Sequence, residues 1–232
     1  MIGVYDYTVI LTYLSLLSAG AGIFVSLSGG GHPYLGAFFL MFCGLCDAFD
    51  GKVARTKKNR TSLEINFGIQ IDSLCDVVAF GVLPASIGAA MLRVSPFLRE
   101  KVFSSGKTWL TGILRAVLYG ILLFYVLAAL VRLAYFNVTE EERQKTEGGV
   151  RRYYLGVPVT TSALIFPTVL LLQYLVSADL TLAFFAVTLL LALAFVSRLR
   201  IPKPGLRGIL IMVGIGIAEF AAMVLIRCFL HR

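Results

Sequence analysis

No stretch of this 232-residue chain stays polar for long, and only 15% of it is Asp, Glu, Lys or Arg. One membrane domain is therefore expected, because no long polar stretch could hold a second. Histidine is scarce, at two residues, and the four cysteines (Cys43, Cys46, Cys75 and Cys228) all lie in apolar segments. Cys43 and Cys46 form a C-x-x-C without a βαβ context, so they read as small packing residues rather than as a redox or zinc site. Low-complexity tracts and internal repeats are absent too. No basic region precedes the first apolar run, which is therefore expected to be a retained span and not a cleaved signal.

What is present is hydrophobic: 58% of the residues are apolar and the mean hydropathy is +0.86. The apolar runs predict seven helices, at about 6–28, 33–56, 66–92, 108–136, 157–177, 180–197 and 207–230. Breaks fall at Gly29-Gly30-Gly31-His32-Pro33, at the polar 57–64, at 93–107, at the charged 139–153, at 177–179 and at 198–208. The expected fold is an all-α polytopic membrane helix bundle, with residues 1–232 forming one membrane-embedded domain.

The formal charge of +8 arises from basic residues in short loops between spans, which points to lipid headgroups and not to nucleic acid. One face of the bundle holds Lys52, Arg55, Lys57, Lys58, Arg60, Arg143, Lys145, Arg151, Arg152, Arg198, Arg200, Lys203 and Arg207, thirteen in all. The other holds six: Arg93, Arg99, Lys101, Lys107, Arg227 and Arg232. The richer face is assigned to the cytoplasm of a prokaryotic cell. The loop 93–107 dissents with four of those six, and its Phe97, Leu98, Val102 and Phe103 read as an interfacial helix. Arg115 and Glu219 are lone charges within spans and receive no role.

Residues 47–76 break the apolar pattern with four carboxylates, Asp47, Asp50, Asp72 and Asp76. An ionised Asp at a bilayer centre costs about 2.5–3.5 kcal/mol, so four cost about 10 kcal/mol unless something neutralises them. Asp47 and Asp50 are spaced i, i+3, and Asp72 and Asp76 i, i+4, so each pair shares one face of its helix. Two consecutive spans thus offer two carboxylates each near one side of the membrane. Hard oxygen ligands favour Mg²⁺ or Mn²⁺, with Ca²⁺ the alternative, and two divalent ions would cancel the four charges. Gly51 and Gly68 either let a ligand approach the backbone or serve close helix packing. Arg55, Lys52, Lys57 and Lys58 sit at the mouth and would offset an incoming diphosphate. The pattern points to two-metal chemistry on a phosphate-bearing substrate at the membrane surface. A divalent-cation transporter is the rival, but it predicts carboxylates strung across the membrane.

The run D-x-x-D-G-x-x-A-R, a spacer of twelve residues, then G-x-x-x-D-x-x-x-D resembles the signature of the CDP-alcohol phosphotransferases. All eight signature residues are present, as Asp47, Asp50, Gly51, Ala54, Arg55, Gly68, Asp72 and Asp76. The spacer is longer than the roughly eight residues common in that family. Residues 67–85, together with Arg132-Leu-Ala-Tyr-Phe-Asn137, Gly156-Val-Pro158 and Val196–Pro202, are most similar to the members whose acceptor is L-serine. The resemblance covers about 36–205, leaving helix 207–230 outside it.

The resemblance implies a six-helix core, a homodimer, and a CDP-linked lipid bound at the cytoplasmic interface. It implies that Asp47, Asp50 and Asp72 ligate metal, and that Asp76 completes the metal site and acts as general base on the acceptor hydroxyl. It places Gly51, Ala54, Arg55 and Gly68 on the CDP moiety, with Arg55 on its phosphates. The implied partners are CDP-diacylglycerol, L-serine and the product CMP. Arg132 and Asn137 are expected to contact the serine zwitterion, against an equal reading of Arg132 as an interfacial anchor. Glycerol phosphate, inositol phosphate, ethanolamine or choline are the other acceptors; Arg151 and Arg152 would serve a phosphorylated one.

Overall fold

The computed structural model describes residues 2–102, 108–146, 153–176, 178–202 and 205–230. Seven long helices run through the described residues: α1 (Ile10–Leu27), α2 (Pro33–Ala54), α3 (Ser62–Val94), α4 (Thr108–Thr146), α5 (Ser162–Val176), α6 (Thr181–Val196) and α7 (Leu206–Leu230). The first four are long and apolar enough to cross a bilayer; the apolar parts of the others, Val159–Gln173, Thr181–Val196 and Leu210–Leu225, are shorter. The protein is a polytopic all-α membrane bundle. Its outer surface is apolar, with Phe24 78% and Leu123 72% exposed, as a lipid-facing surface requires.

α1 begins at Ile10 rather than 6 and α5 at Ser162 rather than 157, and three further boundaries differ from expectation for a local reason. α3 begins at Ser62 rather than near 66, because Thr61 and Glu64 form a reciprocal capping box. The Thr61 N–H donates to Glu64 Oε2 at 2.7 Å, and the Glu64 N–H donates to Thr61 Oγ1 at 3.2 Å. α4 runs ten residues past 136 to Thr146, since nothing from Asn137 onward breaks a helix and Arg143 pairs with Glu140 at 2.7 Å one turn back. Arg132 and Asn137 therefore lie within α4 and do not end it. Of the loop 93–107, Phe97–Val102 forms a single π-type turn, and 103–107 lies outside the described residues.

α3 is not uniform. Between Val77 and Val82 it widens into a π-helical segment, closed by the Leu83 N–H bonding to the Val78 carbonyl. Proline at position 84 explains this. In a regular α-helix the Phe80 carbonyl would accept from the nitrogen four residues on, and Pro84 has no N–H. The Tyr125 hydroxyl on α4 donates to that carbonyl instead, at 2.8 Å.

Tyr125 is also the hub of the core. Its ring meets Phe166 edge-on at 5.6 Å and Phe195 at 5.4 Å, and Phe166 in turn lies 4.8 Å from Phe184. All four are buried, and their edge and tilted contacts lock α4, α5 and α6 together. On the opposite side α1 packs closely on α2 and α3. At Gly22 an added Cβ would fall 2.7 Å from Phe39 and 2.9 Å from Leu83, so only glycine permits this approach.

A feature absent from the sequence reading is a two-stranded antiparallel ribbon, β1 (Tyr153–Leu155) with β2 (Arg200–Pro202), pairing Tyr154 with Ile201. It joins the segments before α5 and after α6. Gly156 follows with φ of +76°, and its N–H donates to the Leu199 carbonyl at 2.8 Å.

Candidate active site

The last two turns of α2 carry Asp47 and Asp50, and the third and fourth turns of α3 carry Asp72 and Asp76. Carboxylate oxygens of Asp47, Asp50 and Asp72, each half-buried, lie within 4.8 Å of one another. Asp50 is fixed on this side by the N–H of Gly51, which donates to its Oδ1. None of the ion pairs among the described residues engages these three acids. Three like charges this close in an apolar surround demand a counter-charge, and an all-carboxylate set is the donor chemistry of Mg²⁺, Mn²⁺ or Ca²⁺. The arrangement fits a divalent ion.

Asp76 stands one turn beyond Asp72 and outside that group of three. It remains in electrostatic range of Asp47, Asp72 and Asp50, and of Arg132. Arg132 is buried on α4, where its Nε donates to the Val157 carbonyl at 3.0 Å and its guanidinium lies 5.2 Å from the Phe136 ring centre. One helical turn on, Asn137 Nδ2 donates to Ser73 Oγ at 2.7 Å, beside Asp72. The Ser73 hydroxyl in turn donates a hydrogen bond to the Ile69 carbonyl at 3.0 Å. Arg132, Val157 and the ribbon thus connect in space three segments that the sequence set apart.

The mouth is more differentiated than a cluster of cations. Arg55 caps α2 and its guanidinium lies over Gly51, where an added Cβ would sit 3.5 Å from Nη1. Ala54 is the last residue of α2. Lys52 lies 5.1 Å from the centre of the Phe49 ring. Lys57 does not face the acids at all: its Nζ bridges Asp6 Oδ2 at 2.7 Å and Glu64 Oε1 at 2.6 Å. Of the twelve spacer residues, 62–67 are the first six of α3. Arg151 and Arg152 lie outside the described residues.

A family model described as CDP-alcohol phosphatidyltransferase matches residues 8–220. The chain belongs to the CDP-alcohol phosphatidyltransferase family. It is 33% identical over 159 residues to the CDP-diacylglycerol--serine O-phosphatidyltransferase of Saccharomyces cerevisiae, covering 65% of this chain and 49% of the yeast protein. The protein of the same name from Helicobacter pylori is 28% identical over 174 residues, covering 71% of this chain and 62% of its own length. The matches therefore span about half to three-fifths of these relatives.

In this member of the family, Arg60, a loop cation without a place in the motif, lies beside Gly68 on α3. Arg60 precedes the capping box and reaches forward along α3, donating from Nη2 to the Glu64 carbonyl at 3.3 Å. A Cβ on Gly68 would meet the same Nη2 at 3.0 Å. The signal was available in Thr61-x-x-Glu64, which starts α3 early and fixes where Arg60 leaves the loop.

Proposed function

We propose that this protein transfers a phosphatidyl group from CDP-diacylglycerol to the hydroxyl of L-serine, giving phosphatidylserine and CMP. The observation that carries the reading is the convergence of Asp47, Asp50 and Asp72 from two helices, in a chain of this family. Two relatives bearing the serine name support the acceptor. We place the acids on the cytoplasmic side of a prokaryotic membrane, from the thirteen basic residues in loops on that face. A homodimer and one catalytic domain over residues 1–232 belong to the same proposal.

Asp47, Asp50 and Asp72 would hold Mg²⁺ or Mn²⁺, with Asp76 completing the set. A divalent ion bound there supplies charge neutralisation and Lewis acidity toward a diphosphate. Gly51, Ala54 and Gly68 leave room for the CDP moiety, and Arg55 holds its phosphates. Asp76 accepts the proton of the serine hydroxyl as its oxygen bonds to the lipid-side phosphorus. The bond from that phosphorus to the bridging oxygen breaks, and CMP leaves with the electron pair. Arg132 and Asn137 line the acceptor side, where Arg132 is suited to a carboxylate.

Purified protein supplied with CDP-diacylglycerol and a panel of acceptors tests this directly. L-Serine is expected to release CMP and form lipid in equal amounts. Glycerol phosphate or inositol phosphate working in its place would keep the chemistry and replace the acceptor.

A further inference from the structure

We infer that Arg60 is a second phosphate-binding guanidinium, so that the donor's diphosphate is held from both helices and not from α2 alone. This rests on the CDP-lipid reading above. The two sides of the acid cluster are built alike. On α2, Arg55 reaches back over Gly51, next to Asp50, with Nη1 3.5 Å from where a Cβ would stand. On α3, Arg60 reaches forward over Gly68, with Nη2 3.0 Å from the corresponding point. Gly68 lies four residues before Asp72, so Arg60 rests on the stripe of α3 that carries the carboxylate, about one helical turn, or about 6 Å, away.

Its bonding is incomplete in a way that suits an anion. Among the described residues Nη2 reaches only the Glu64 carbonyl, at 3.3 Å, and Nε is buried with no hydrogen-bond partner. A guanidinium carries five N–H donors in a planar fork, the geometry that takes two oxygens of one phosphate. The position is also fixed, because Arg60 directly precedes the Thr61 cap, and Lys57 anchors the same loop to Glu64. Counted along the helix axes, Asp72 lies about 15 Å from the start of α3, while Asp50 lies about 6 Å from the end of α2. α3 therefore projects about 9 Å past α2, and Arg60 folds down along that projection.

Binding of CDP and of cytidine, each with Mg²⁺, is measured by calorimetry on wild type, Arg60→Ala, Arg60→Lys and Gly68→Ala. Arg60→Ala is expected to weaken CDP at least tenfold, to leave cytidine within twofold, and to leave the melting temperature nearly unchanged. Arg60→Lys is expected to recover part of the CDP loss, since it keeps the charge and loses the fork. Gly68→Ala displaces the guanidinium and also narrows the room proposed for CDP. Its loss of CDP affinity should therefore be smaller in the Arg60→Ala background than in wild type, and an equal loss in both backgrounds counts against the contact. Unchanged CDP affinity in Arg60→Ala, or an equal loss for CDP and cytidine, overturns the inference while leaving the proposed function standing. Wild-type protein that binds no CDP would remove the reading on which it rests, and this inference with it.

Discussion

The Tyr125 hydroxyl donates to the carbonyl of Phe80, the one that Pro84 leaves without its helical donor. This bond spans α4 and α3 four residues beyond Asp76, so it secures the helix that presents two of the four acids. Tyr125→Phe removes the donor and strands a buried carbonyl, at a cost of about 1–3 kcal/mol. The expected result is a lower melting temperature in detergent. Pro84→Ala restores an N–H at the right position, so Tyr125→Phe should cost less in that background. An equal loss in both backgrounds would show that Pro84 is not the cause.

Asp76 and Asp72 are one turn apart on α3, yet only Asp72 joins the close group of three carboxylates. That separation suits a group that handles a proton. Asp76→Asn is expected to cut turnover by about 10²–10⁴-fold, the usual contribution of a general base. CDP-diacylglycerol binding should be largely retained. Concurrent loss of binding and turnover would assign Asp76 to holding the ligand.

The bridge from Lys57 to Asp6 and Glu64 fastens the segment before α1 to the start of α3. Its hydrogen bond from Lys57, with help from Thr8, pulls the Asp6 carboxyl from 3.8 down to about 2. A lowered carboxylate stabilises the fold above its unfolded value and loses that effect as pH falls through the folded one. Wild type should therefore melt higher than Asp6→Asn by a constant margin at neutral pH, and the margin should close between pH 4 and 2. A margin that persists at pH 2 would mean that the ion pair is not its source.

Much of this was legible in the sequence because the bilayer makes it so. Every backbone group in an apolar span must bond internally, and a long apolar run has few alternatives to a helix. The four acids were legible for the same reason, since charge inside such a run requires an explanation. The start of α3 was hidden because Thr61-Ser-Leu-Glu64 is polar and reads as a loop unless its capping geometry is weighed. The continuation of α4 past Asn137 was hidden because hydropathy marks where a span leaves lipid, not where its helix ends. The β1–β2 ribbon and the Arg132 contact with Val157 join residues far apart in the chain, and no local pattern encodes them. Arg60 looked like one loop cation among several; the bare surface of Gly68 gives it a place.

The central claim is that acids from two separate helices form one cation site, and Mn²⁺ titration into the purified protein tests it most directly. Wild type, Asp50→Asn, Asp72→Asn and the double variant are compared by calorimetry and by melting temperature. At a free Mn²⁺ of 100 times Kd, wild type should gain about 2.7 kcal/mol of stability. Each single variant should lose at least tenfold in affinity, and the double variant little more than the weaker single, because one substitution already opens a shared site. Unchanged Mn²⁺ affinity in either single variant would contradict the account.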